Sequence, residues 1–173
     1  MRNFRMMMSV AMLMVSMSLM AQNVRVTTVL EGTGLVGMYG FSCTLTITPD
    51  GNGIIQGKST REIDPVTIKF KADPSVLYSA IQGNNFMWSY IKEATVSPFA
   101  MEMKEKVKGQ RPKIEKKPVV PTGSGTIKGQ TETNGDLVKF YVRFPIKTVN
   151  RQSVFGINFT FRKQNMVEKY RKE

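Results

Sequence analysis

The stretch from Tyr39 to Thr48 most narrows what this chain can fold into. Tyr39, Phe41, Cys43, Leu45 and Ile47 alternate without error with Gly40, Ser42, Thr44, Thr46 and Thr48. Successive side chains of an extended strand point to opposite faces, so this period of two describes a strand with one face in an apolar interior and the other in water. The same period returns near the carboxyl end. There Val138, Phe140, Val142, Phe144 and Ile146 share one face, and Phe155, Ile157, Phe159 and Phe161 share another. The short link "KTVNRQS" between these two runs predicts a long antiparallel hairpin.

Hairpin signals recur elsewhere. Asn134-Gly135 lies between two candidate strands in "TIKGQTETNGDLVKF", and Asn-Gly supplies the positive φ angles that tight hairpin turns need. Further strands are expected at 24–30, 54–60, 66–71, 86–96 and 99–108. The count is about eight to nine short strands, which predicts an all-β, mainly antiparallel fold, a single barrel or sandwich. One short helix is expected over 73–83, with Asp73 as its cap, Pro74 in its first turn and Gly83 at its exit. Its apolar face would cover an opening or edge of the sheet. The tail, 165–173, reads as a second short helix or a frayed end. In strand pattern the chain is similar to the calycins, the lipocalins among them, although it carries no lipocalin motif. The likeness implies a fold and no ligand.

One motif invites a different reading. "GNGIIQGKST", residues 51–60, ends in the Gly-Lys-Ser that closes a phosphate-binding loop. That loop needs a glycine five positions before the second glycine, and position 52 is Asn. It must also leave a strand and open a helix, whereas this stretch follows "TLTITPDGNG" and has no helical apolar period. A hairpin explains it better, with glycines supplying positive φ and Lys58 facing solvent.

Residues 1–21 have the layout of a secretory signal peptide: Arg2 and Arg5, an uncharged and mostly apolar run, then Ala21. Export to the periplasm or the cell exterior is therefore expected, with cleavage after Ala21. Residues 22–173 form a single β-rich domain of 152 residues, enough to bury roughly two-thirds of the unfolded surface. Loss of the leader lowers the formal charge from +12 to +10. Such an excess favours anionic partners, an anionic lipid or polysaccharide here, with nucleic acid disfavoured. The single cysteine, Cys43, cannot form an intrachain disulfide and falls at an inward strand position, as a small buried apolar residue would.

The positive charge concentrates in one place. Residues 109–125, "GQRPKIEKKPVVPTGSG", read as a basic loop in which Pro112, Pro118 and Pro121 oppose a regular ladder. With the strand leading into it, the segment presents Lys104, Lys106, Lys108, Arg111, Lys113, Lys116 and Lys117 as a candidate contact for an anionic surface. A second candidate is the interior. Phe41, Phe86, Trp88, Tyr90, Phe140, Phe144, Phe155 and Phe159 would line a barrel that carries an apolar or amphipathic small molecule, or would simply be its core.

Catalytic chemistry leaves little trace. The chain has no histidine, which removes Ser-His-acid and Cys-His arrangements and the commonest zinc ligand. "SYIK" at 89–92 matches Ser-x-x-Lys but lies among alternating aromatics, not on a helix. The carboxylates are scattered over turns and separate strands, and none makes a calcium loop. No catalytic residue, metal site or cofactor is assigned. The expectation is an exported, noncatalytic binding or interaction protein. Its alternatives are a small outer-membrane barrel and a carboxylate-dependent enzyme such as a glycosidase.

Overall fold

The computed structural model describes residues 26–72, 91–105, 108–109, 111–131, 137–148 and 151–170. Every regular element among them is a strand. In chain order these are β1 (Val26–Val36), β2 (Tyr39–Ile47), β3 (Asn52–Gly57), β4 (Val66–Lys71), β5 (Ile91–Val96), β6 (Phe99–Glu105), β7 (Lys113–Val119), β8 (Gly125–Thr131), β9 (Leu137–Lys147) and β10 (Gln152–Tyr170). Eight of them close into a barrel in the order β1-β10-β9-β8-β5-β4-β3-β2, while β6 and β7 form a separate two-stranded sheet. All pairings are antiparallel. The fold class expected from the strand pattern is therefore the observed one, and the choice between barrel and sandwich falls to the barrel.

The barrel is an up-and-down meander whose path is interrupted once, where the β6–β7 hairpin is inserted between β5 and β8. Closure removes the open edges that a sheet of eight strands would otherwise present. The burial of β2 alternates along its length as its sequence does, with Phe41, Cys43, Leu45 and Ile47 inside. β4 and β9 follow the same rule, with Val66, Ile68 and Phe70 and with Val138, Phe140, Val142 and Phe144 inside. The outward faces carry charged and hydroxylated side chains, among them Glu31, Thr33, Lys69, Glu93, Lys128, Arg143 and Arg162.

Eight strands leave an interior just wide enough for side chains to fill or for one small ligand. Here rings fill it. Phe41 meets Phe159 at 6.0 Å, Phe159 meets Phe161 at 6.4 Å, Phe161 meets Phe140 at 5.7 Å, and Phe140 meets Phe70 at 6.1 Å. Glycines on flanking strands make room for two of these rings. A Cβ on Gly34 would lie 2.3 Å from the Phe41 ring, and one on Gly53 would lie 2.1 Å from the Phe70 ring. Leu30, Leu45, Ile55, Ile68, Phe140 and Phe161 have no accessible surface, so no water-sized void touches them.

Two local expectations change. Residues 109–125 are not one loop, because β7 occupies Lys113–Val119 and pairs with β6 from Phe99↔Val119 to Glu105↔Lys113. Pro118 is tolerated because the far side of β7 pairs with no strand among the described residues, and a missing N–H there costs no ladder bond. The tail is not a helix. β10 continues to Tyr170, and Met166–Tyr170 pairs with Val26–Leu30, so Thr28, Val29 and Leu30 have a neighbour on each side instead of an open edge. The helix expected over 73–83 lies outside the described residues, as does the Asn134-Gly135 turn.

At the other predicted turn, Thr48, Pro49, Asp50 and Gly51 form a β-turn in which the Gly51 N–H donates to the Thr48 carbonyl at 3.0 Å. Gly51 has φ of 83°, which glycine adopts without steric cost. The Asp50 carboxylate accepts from the Thr48 hydroxyl and the Asn52 side-chain amide. The Thr48 hydroxyl first, then backbone N–H groups of Asp50 and Asn52 and the charge of Lys71, hold the Asp50 carboxyl below its usual range.

Candidate functional site

The β6–β7 hairpin has two ends of different character. At its root, Phe99, Met101 and Val119 are buried with Ile63 from the β3–β4 connection, and Phe99 meets Phe155 at 6.0 Å. Phe155 in turn meets Phe144 at 5.5 Å, so the root joins the barrel core. The connection also adds backbone bonds to β6: Asp64 N–H donates to the Ala100 carbonyl and Glu102 N–H to the Glu62 carbonyl, both at 2.8 Å. At the tip the chain turns through Lys108 and Gly109, the latter with φ of 82°. Lys104, Lys108, Arg111, Pro112 and Lys113 are all exposed there.

Cross-strand partners share a face of the hairpin. One face holds Met101 opposite Lys117, Met103 opposite Glu115, and Glu105 opposite Lys113. On it the charges are largely matched. Lys117 bonds Glu105 at 2.7 Å, and Lys113 bonds Glu115, which draws the Glu115 carboxyl down and the Lys113 ammonium up from their ordinary values. The other face holds Glu102 opposite Lys116 and Lys104 opposite Ile114. Lys116 reaches back to Asp64 at 2.5 Å. The Ile114 side chain stays 51 % exposed.

The seven cations therefore separate into distinct groups. Lys113, Lys116 and Lys117 each hold a carboxylate. Lys104, Lys108 and Arg111 have no ion-pair partner among the described residues, and Lys106 lies outside them. Sequence reasoning missed Asp64 and Glu105 as the groups that neutralise two of the lysines. Asp64 is 52 residues from Lys116, a separation that no local pattern bridges.

The interior aromatics separate as well. Phe41, Phe140, Phe144 and Phe159 are buried and contact other rings, while Phe155 is partly buried at the hairpin root. Phe86, Trp88 and Tyr90 lie outside the described residues. The inward position of Cys43 holds: it is 2 % exposed, and burial pushes its thiol up to about 12, which leaves it without thiolate character at neutral pH. Lys58 follows β3 and is exposed. Its N–H donates to the Ser42 carbonyl at 2.8 Å, so the Gly-Lys-Ser sits against a strand and opens no helix.

Among the described residues no group of three or more His, Cys, Asp or Glu side chains is placed to hold a metal ion. No family model, curated protein or solved structure matches the chain.

Proposed function

We propose that this chain is an exported, noncatalytic barrel that binds an anionic lipid surface through the tip of its β6–β7 hairpin. One observation carries the reading. The root of the hairpin is anchored in the core, while its tip projects Lys104, Lys108 and Arg111, which hold no carboxylate among the described residues. Exposed Ile114 lies directly across from Lys104 and gives the same face an apolar group for the headgroup boundary. A cation near an anionic membrane gains most when no protein carboxylate already neutralises it.

Two other features support a water-facing barrel with a surface site. Charged side chains face outward on β1, β4, β5, β8, β9 and β10, interspersed with exposed Leu35, Tyr141 and Val154, whereas a lipid-embedded barrel presents a continuous apolar belt, which weighs against the outer-membrane alternative. The ring-to-ring packing inside favours core over cargo for Phe41, Phe140, Phe144 and Phe159.

Co-sedimentation with vesicles tests the reading, comparing phosphatidylcholine alone with phosphatidylcholine containing phosphatidylglycerol. The expected result is salt-sensitive binding to the anionic vesicles only. The triple variant Lys104→Glu, Lys108→Glu, Arg111→Glu should weaken it by roughly a hundredfold or more. Replacing Lys113 and Lys117 by Gln should weaken it far less, because each already holds a carboxylate. Unchanged binding by the triple variant rejects the hairpin tip as the contact.

A further inference from the structure

The outer wall carries a second feature that the hairpin does not explain. A groove of about 460 Å3 lies across the strands where β10, β1 and β2 run side by side. Its origin is a register fault. Leu30 pairs with Met166 and Gly32 with Phe161, so β10 advances five positions while β1 advances two. Such an irregularity bends the longer strand and turns a convex wall locally concave. The strands pinch together beside it: a Cβ on Gly32 would lie 2.2 Å from the Thr160 carbonyl oxygen, so only glycine fits.

Three charged side chains border the groove: Arg162 on β10, Glu31 on β1, and Lys58 just past β3. Adjacent strands are about 4.8 Å apart; Arg162 and Lys58 lie three strands apart and two residues out of row, so their backbones are roughly 16 Å apart, with Glu31 on the intervening β1 beside Arg162. Between these charges lie the short hydroxylated side chains of Thr33, Ser42, Thr44 and Thr160. Among the described residues, none of the three charged side chains has an ion-pair partner.

This set selects a kind of ligand. Two cations against one carboxylate favour an anion, and four hydroxyls that both donate and accept favour a partner rich in hydroxyls. Among the described residues Leu137 is the one large apolar side chain on the lining, a poor match for an acyl chain or stacked base. The groove lies open on the wall, which suits a segment of a chain that enters and leaves. We propose that this groove binds an acidic oligosaccharide. Its carboxylates would meet Arg162 and Lys58, and its ring hydroxyls would meet the threonines and Ser42. Glu31, beside Arg162, repels a third anionic group and accepts from a neutral sugar instead. The site therefore prefers a chain in which acidic and neutral sugars alternate.

Isothermal titration of the purified protein with three tetrasaccharides tests this. The probes are one of alternating glucuronate and N-acetylglucosamine, tetragalacturonate, and the neutral chitotetraose. The alternating probe should bind, tetragalacturonate at least several-fold more weakly, and chitotetraose not at all. Arg162→Gln and Lys58→Gln should each weaken the alternating probe about tenfold without shifting Tm, and Glu31→Gln should narrow the gap to tetragalacturonate. No binding of the alternating probe, or binding unchanged in the Arg162→Gln, Lys58→Gln double variant, overturns the proposal. Equal binding of tetragalacturonate overturns the role given to Glu31. The triple variant at the hairpin tip should leave saccharide binding intact. Its loss there would place the site on the hairpin and overturn the groove, whereas failure of vesicle binding alone leaves the groove standing.

Discussion

The barrel and the β6–β7 hairpin use the same antiparallel pairing and differ in what lies on either side of it. Every barrel strand has two neighbours and one face in a shared interior, so a residue such as Phe140 is sealed by rings and strands from several directions. The hairpin has its own two strands and, at its root, the 62–64 connection bonded to β6, and towards its tip the described side chains are largely exposed. The difference teaches where each region draws its stability. The barrel draws it from apolar burial and the hairpin from the few residues that join it to that burial. Exposed ion pairs along the hairpin add little, since side-chain entropy and solvent screening offset most of their attraction.

This contrast can be broken by substitution. The largest effect should come from Phe140→Ala, which removes a sealed ring that links Phe161 to Phe70 in the five-ring chain. A loss of about 3–5 kcal/mol in urea denaturation is expected, with Tm lower by roughly 10 °C. A loss below about 1 kcal/mol would mean the interior is looser than its packing indicates.

A matched pair of isoleucines sharpens the comparison. Ile63 is fully buried beneath the hairpin root, and Ile114 is 51 % exposed near its tip. Ile63→Ala should cost about 2–4 kcal/mol. Ile114→Ala should stay within about 0.5 kcal/mol and should instead reduce vesicle binding. Equal losses of stability at the two positions would mean that the tip also packs on the barrel.

The smallest effects belong to the exposed charges and are visible only through pH. Asp50 has its folded-state pKa lowered from 3.8, so its turn contributes fully above that value and loses its contribution as pH falls through the lower folded value. Denaturation of the protein and of Asp50→Asn at pH 7 and at pH 3 and below should show a small gap that closes on acidification. Glu115, lowered from 4.5 by Lys113, behaves in the same sense. Lys113 is raised from 10.5, so its share is present below that value and is lost as pH rises through the higher folded value. Between about pH 6 and 9 neither member of the pair should register.

Much of the barrel was readable from period alone. The pattern of 39–48 became β2, 66–71 became β4, and the two aromatic runs became β9 and β10 joined at 148–151. Turn chemistry was readable where one residue controls the backbone, as Gly51 does. β7 was not readable, because its prolines argue against a strand and only its position in a two-stranded sheet makes Pro118 harmless. The extension of β10 to Tyr170 escaped for a related reason. Its polar sequence has little strand character, and it is a strand because β1 needs a partner there.

The contact surfaces were less readable still. The basic run near 104–117 was plain, yet which of its lysines hold a carboxylate among the described residues depends on Asp64 and Glu105, brought close by the fold. Arg162, Glu31 and Lys58 carry no signal together, being far apart in the chain and joined only across strands. The amino-acid sequence by itself determined that this chain makes antiparallel strands with one apolar face, because side-chain alternation is a local consequence of extended backbone geometry. Closure of the barrel, the packing of the hairpin root on its core and the gathering of charges on the outer wall were decided by tertiary structure, because each depends on contacts between residues that are distant in sequence.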